Sequence, residues 1–246
     1  MKSIFVIGTG RSGTHFTVRL LNGFANAHDP LGGKENEQIL MEIAKAAIHH
    51  RLPSPMVADY YRDHLNAQAG IYLDQHHPNL FYVRHWARMF EGIVFVYPRR
   101  PTYQIVASML RHGDVMSWYQ YAQHWRQRWI DKIPYPNQFL GLARFSDIAN
   151  LPTHLLCAHR VIAHRLAYEE AAKRANADLR SLDYVALVDD PLVEFSRAFT
   201  AKELEALGKF TLLERPKKDS LTKYCDILDD RQLSEIEALE RQICDD

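Results

Sequence analysis

Residues 3–22, SIFVIGTGRSGTHFTVRLLN, constrain the fold of this chain more than any other stretch: a short apolar run breaks into a glycine-spaced turn and resumes at helical spacing. Ile4, Phe5, Val6 and Ile7 are β-branched, aromatic and continuous, the pattern of a strand covered on both faces in a parallel sheet. Gly8, Gly10 and Gly13 punctuate the turn, where backbone without Cβ can approach a ligand closely and aim successive N–H groups at one anion. Phe16, Leu20, Leu21 and Phe24 then place the start of a helix near Ser12 to Thr14, with its positive dipole end towards the turn. Arg11 adds a permanent charge. The segment predicts a cradle for phosphate, and its alternative is a plain strand-turn-helix unit whose glycines serve only the turn.

A nucleoside-triphosphatase loop carries Lys and then Ser or Thr after its last glycine, whereas here Thr14 and His15 follow Gly13 and the cation precedes it. Arg11-Ser12-Gly13-Thr14 resembles the 5′-phosphosulfate loop of sulfotransferases that use 3′-phosphoadenosine-5′-phosphosulfate (PAPS), commonly RSGTT or KSGTT, with His15 in place of the second hydroxyl. A second strand pattern, 92–97 (GIVFVY), leads through Pro98, Arg99, Arg100 and Pro101 into a helix with Ile105, Val106 and Met109 on its inner side. In that family an arginine after such a strand and a serine eight positions on hold the 3′-phosphate, and Arg100 and Ser108 have that spacing. The family's Arg-Asp-Pro-Arg is replaced by Arg100-Pro101-Thr102-Tyr103. The stretch 184–191 (YVALVDDP) looks like a structural strand and turn of the family, and 217–224 is similar to its basic C-terminal loop, which implies Lys217 or Lys218 at the nucleotide. The resemblance thus implies PAPS as donor, held by Gly10, Arg11, Ser12, Gly13, Thr14, His15, Arg100, Ser108, Lys217 and Lys218.

The length of 246 residues suits one α/β domain, with an aromatic-rich insertion or lid around 112–140. Helices are expected over about 36–49, 154–175 with Thr153 as N-cap, and 231–243, and a capping box at Thr200 to Glu203 opens a helix that Gly208 closes. Strands feeding helices in this order predict a three-layer α/β fold, a mostly parallel sheet with helices on both faces. The resemblance makes it the P-loop-like sulfotransferase architecture. Thirty basic and thirty acidic side chains balance, so no nucleic-acid or anionic-membrane surface is indicated. No run reaches the roughly 20 apolar residues of a membrane span, and the first strand follows Met1-Lys2-Ser3 directly, so a cytoplasmic protein is expected. Cys157, Cys225 and Cys244 are odd in number and without a CxxC pair, the pattern of reduced thiols.

Sulfuryl transfer needs a base for the acceptor's proton and positive groups where charge builds on the leaving phosphate, a task for Arg11 and the turn amides. Carboxylate-using members of the family imply Glu35 or Glu37 as base, in 32–37 (GGKENE), and histidine-using members imply His76 or His77, in 74–79 (DQHHPN), where Gln75 replaces a family lysine. The surrounding pattern favours the glutamates. No metal site is expected, because His154, His159 and His164 recur every five residues, about 140° apart around a helix. Trp118, Tyr119, Tyr121, Trp125, Trp129, Tyr135 and Phe139 make an aromatic segment that fits either core packing or a substrate wall. The expected function is transfer from PAPS to a hydroxyl or amine of a small molecule, carbohydrate, lipid or peptide. A P-loop kinase and a non-catalytic nucleotide-binding protein of the same fold are the rivals.

Overall fold

Strand β1 (Ser3–Val6), β2 (Ala27–His28), β3 (Ile71–Asp74), β4 (Ile93–Arg99) and β5 (Asp178–Asp183) pair in parallel throughout, in the order β2-β3-β1-β4-β5. These assignments come from a computed structural model that describes residues 1–67, 70–124, 133–144, 146–213 and 216–244, and for 118 and 120–124 the backbone alone. Alternate strand residues feed opposite faces, as the period of two requires. Phe5, Tyr72, Ile93, Phe95 and Tyr97 enter one core; Ile4, Val6, Ile71, Leu73, Val94 and Val96 enter the other.

The first core is covered by α2 (Glu37–Ile48), α3 (Pro55–Ala67), α4 (Val83–Met89), α5 (Thr102–Leu110), α8 (Thr153–Arg174) and α12 (Asp230–Cys244). Helices α1 (Thr14–Leu21), α9 (Tyr184–Asp189), α10 (Pro191–Ala198) and α11 (Ala201–Leu207) cover the second. The expected three-layer α/β fold is the one formed. Helix α6 (Gly113–His124) and the single turn α7 (Asp147–Asn150) lie between α5 and α8 in the chain.

Local sequence explains most boundaries. Asn36 accepts from the Ile39 amide and starts α2, and the Thr200–Glu203 capping box starts α11 with both reciprocal bonds made. Two expectations are corrected. Thr153 is the first residue of α8, with Pro152 at the N-cap, because proline's fixed φ suits a helix start. The stretch from Tyr184 is helix and not strand: Asp183 accepts from the amides of Val185 and Ala186, which ends β5 and opens α9. In α12 only Ile236 is fully buried, whereas Leu233, Leu239 and Ile243 are half-covered.

Of the aromatic segment, Trp125, Trp129 and the side chains of Trp118 and Tyr121 lie outside what is described. Tyr119 and Phe139 are buried in the first core and Tyr135 packs against it. Among the described residues the three cysteines are unpaired, no His, Cys, Asp or Glu cluster suits a metal ion, and no helix is long and apolar enough to cross a membrane.

The first core is organised around Phe5, whose ring centroid lies 4.9 Å from that of Tyr61 and 5.8 Å from that of Phe95. Phe5→Ala should cost about 3–5 kcal/mol, the range for deleting a buried aromatic ring. Thr200→Ala, which removes only a cap, should cost about 1 kcal/mol. Urea unfolding midpoints of the two variants check the ratio.

Candidate active site

Parallel pairing puts the carboxyl ends of β1, β3, β4 and β5 on one edge of the sheet. The chain leaves β1 towards β2 on one side and leaves β4 towards β5 on the other. Ligands of open α/β sheets bind in the crevice that such a reversal opens. Segments far apart in sequence meet there: the turn 8–13 after β1, His77 after β3, Arg100 after β4 and Tyr184 after β5. They enclose a cleft of about 610 Å³, within the usual range of small-molecule sites.

Gly13, the N-cap of α1, has φ 105° and no side chain caps the helix, so the first-turn amides keep their donors for a ligand. A Cβ on Gly13 would lie 2.5 Å from the Tyr184 ring, so the turn admits only glycine there. Arg11 also holds a left-handed φ of 75°, a conformation that costs a non-glycine residue about 1–3 kcal/mol. Its Nε donates to Ser108 Oγ at 3.2 Å. Arg100 donates through Nη1 to the Arg11 carbonyl at 3.1 Å, through Nη2 to the Ser220 carbonyl at 3.0 Å and through Nε to Gln104 Oε1 at 3.2 Å. Its guanidinium also lies 4.5 Å from the Tyr184 ring centroid. Burial lowers the Arg100 pKa from its usual value, with Tyr184 acting in the opposite direction. A partly buried cation without a carboxylate is the electrostatic complement of an anionic ligand.

The cleft is also lined by Glu35. Its Oε1 faces His77 Nδ1 at 3.3 Å and its Oε2 faces His15 Nε2 at 3.3 Å. Burial would raise the carboxyl's pKa, but hydrogen bonds from His15 and His77 outweigh it and hold the group well below the carboxylate range. His15 Nδ1 meets a second acceptor, the Gly33 carbonyl, at 3.2 Å. Two acceptors call for two N–H donors, so the charged imidazolium is favoured, and the bond to Glu35 raises the pKa of His15 against burial. His77 is 13% exposed; burial lowers its pKa further than the Glu35 bond raises it. A neutral His77 donates through Nδ1 to Glu35, which leaves the lone pair on Nε2. Gly10 makes room for that edge, since a Cβ there would sit 3.4 Å from Nε2.

The structure therefore gathers Gly10, Arg11, Gly13, Thr14, His15, Glu35, His77, Arg100 and Ser108 around one cleft. It does not bring the others. Ser12 is buried, its amide bonded to the Thr9 carbonyl and its hydroxyl without a partner. Glu37 is exposed on the first turn of α2. His76 is sealed behind the cleft, with Nδ1 2.6 Å from Asp74 Oδ1 and Nε2 accepting from the Asn36 amide at 3.2 Å. Lys217 and Lys218 are exposed outside the lining, and Lys218 pairs with Asp189 at 2.9 Å. Their segment reaches the site through main chain instead, by the Ser220 and Leu221 carbonyls that accept from Arg100 and Gln104.

Several lining residues escape sequence reasoning, Tyr184, Arg160 and His112 among them. Tyr184 reads as strand, Arg160 is one cation in a long helix, and His112 follows α5 without a motif. The histidine trio separates as its spacing requires: His154 bonds Glu235, His159 lies outside the cleft lining and His164 is buried.

The two imidazoles on Glu35 should titrate on opposite sides of the ordinary value of about 6.5, His15 above and His77 below. Glu35→Gln should lower both, because both lose a carboxylate that favours their charged form. Histidine-resolved NMR titration of the two proteins checks the direction of each.

No protein-family model matches the chain, and no curated protein matches it in sequence. Among solved structures the chain is similar to a sulfotransferase domain from the curacin biosynthetic pathway, with a TM-score of 0.50 and 10% identity over 96% of each chain. The likeness concerns the fold: a parallel sheet flanked by helices, arranged as in a sulfotransferase domain.

Proposed function

We propose that this chain is a sulfotransferase that moves the sulfuryl group of PAPS to a hydroxyl or amine acceptor, with His77 as general base and Glu35 as the group that orients it. The observation that carries the reading is that one cleft gathers two clusters: Arg11, Ser108 and Arg100 beside an uncapped helix start, and Glu35 with His77. PAPS, when bound, supplies an activated sulfuryl group attached to a phosphate that leaves with negative charge.

The chain's own groups fit that demand. The α1 amides, Arg11 and the His15 imidazolium meet charge at the turn, and Ser108, bonded to Arg11, and Arg100, bonded to the Arg11 carbonyl, extend that anion-binding surface towards α5. His77 Nε2 takes the acceptor's proton, and Glu35 steadies the imidazolium that results. Glu35 is the weaker candidate for the base itself, because a carboxyl held so low in pKa has little appetite for a proton. Gln75, where the family carries lysine, donates to the Lys34 carbonyl and so fixes the loop that presents Glu35.

Adenosine 3′,5′-bisphosphate at a hundred times its Kd should raise stability by about 2.7 kcal/mol in thermal unfolding; stabilisation by ATP alone would point to a kinase and sink the proposal. Arg11→Ala should slow transfer by on the order of 10²- to 10³-fold, whereas Ser108→Ala should act mainly through donor affinity. His77→Asn should lower kcat by roughly 10²- to 10⁴-fold. The wild-type rate should fall with acid as His77 gains its proton, with a midpoint below about 6.5. In Glu35→Gln that limb should move to still lower pH while the plateau drops; a limb that stays in place removes Glu35 from its orienting role.

A further inference from the structure

A second cavity, about 1390 Å³, lies among α2, α4 and α8 and shares no lining residue with the cleft. Arg160 and Phe139 stand between the two. The Arg160 guanidinium, whose side chain lines the cleft, lies 4.9 Å from the centroid of the Phe139 ring, which lines the cavity. His164 backs this wall: its ring meets Phe81 edge-on at 4.9 Å, and its nitrogens face the carbonyls of Gly8 and Phe139.

The cavity is apolar inside and cationic at its edge. Phe81, Phe139, Leu142 and Leu151 form apolar wall, and Leu52 and Met89 extend it outward, 67% and 42% exposed. Large side chains left in water beside a concave apolar surface are unusual for a surface without a ligand. Arg84 and Arg88 both line the cavity one helical turn apart on α4, a like-charge spacing that is mutually repulsive. Arg51 joins them, its carbonyl accepting from Tyr82 Oη at 2.7 Å, which pins its segment to the start of α4. Among the described residues no carboxylate pairs with any of these three guanidiniums. The lining carboxylate, Asp147, is engaged by the Arg144 amide at 2.8 Å and its Nε at 3.9 Å. Burial lowers the pKa of His85 and of His159, so the arginines carry the charge.

We propose that this cavity binds a free amphiphile with a long apolar chain and an anionic head group, the chain against Phe81, Phe139 and Leu142 and the head group against Arg51, Arg84 and Arg88. Its volume exceeds the roughly 300–1,000 Å³ of ordinary small-molecule sites, which suits a long chain, and its concave form suits a ligand better than a protein face. The proposal goes beyond sulfuryl transfer and does not depend on it.

Titration with cis-parinaric acid, a fluorescent polyene fatty acid, should show saturable binding of one molecule per chain, and adenosine 3′,5′-bisphosphate should not displace it. The uncharged methyl ester should bind about ten-fold more weakly, and Arg84→Gln/Arg88→Gln should weaken the acid by a similar factor while leaving the ester unchanged. Ala163→Trp, on the α8 side of the cavity, should abolish binding of both while circular dichroism stays native; if that variant does not fold, the arginine pair decides the matter alone. Equal affinity for acid and ester, or an acid affinity indifferent to the arginines, overturns the proposal. Association with intact phosphatidylglycerol vesicles but not with the dispersed acid overturns it as well, in favour of a membrane surface.

Discussion

The buried carboxylate of Asp74 holds the geometry on which the candidate site rests. It lies at the end of β3, 3% exposed, in a core where an unpaired charge would be prohibitive. Five donors converge on it: the His76 amide and Nδ1 at 3.1 and 2.6 Å, Asn79 Nδ2 at 2.9 Å, and the Tyr61 and Tyr72 hydroxyls at 3.4 Å each. A carboxylate offers about four lone-pair sites, so after the three shorter bonds the two tyrosine hydroxyls share what is left and both bonds are long. Burial and then the Asp74 charge drive both phenols well above their ordinary pKa. With Nδ1–H committed to Asp74, His76 can offer only Nε2, and that atom accepts the Asn36 amide. Asn36 caps α2 and neighbours Glu35; His77 follows His76. His76 and Asn36, which face inward, are therefore one construction with Glu35 and His77, which face the cleft, and the bond between the inner two fixes the chain on either side of it.

Arg100 plays the matching part beside the turn after β1. Its donors hold the Arg11 carbonyl, the Ser220 carbonyl and Gln104, and its face rests on Tyr184, so one side chain ties the turn after β1, the start of α5, the end of β5 and the C-terminal segment together. Its planar fork can do this while an ammonium could not, because each bond leaves at a fixed angle. The left-handed Arg11 is sustained by the same arrangement, with its carbonyl held by Arg100 and its side chain by Ser108. A ligand that bound both arginines would engage a framework already set.

Much of this was legible in the sequence, for identifiable reasons. The continuous apolar runs of β1 and β4 mark strands buried on both faces, and each is followed by residues whose chemistry is local: glycines that free the turn, and an arginine and serine eight positions apart that a strand-to-helix junction brings to one edge. The helix start at Thr200 is equally legible, because a capping box lies within four residues, whereas Thr153 offers a cap that α8 does not use. The failures have the opposite character. Tyr184 enters the site because β5 lies beside β4, and Arg160 because α8 crosses behind the cleft; neither fact is written in neighbouring residues. Segment β5, DLRSLD, lacks an apolar run because it is an edge strand, mostly uncovered, and the more apolar residues after it, which imitate a strand, form α9.

The choice between glutamate and histidine as base shows what geometry adds to motif. By pattern alone Glu35 and Glu37 had the better claim, since sequence gives no sign that one carboxylate receives two imidazoles. Once Glu35 bridges His15 and His77, its protonation is disfavoured by both partners, and the more firmly it is held as a carboxylate the less it can serve as a proton acceptor. The same bond has the reverse effect on His77: it fixes the tautomer, leaves Nε2 free and favours the charged form that proton capture produces. Burial limits that gain, keeping the ring neutral before the proton arrives. A group that is unprotonated at rest, yet steadied when charged, meets both requirements of a general base, and in this cleft the imidazole of His77 satisfies them where the carboxylate satisfies only the first.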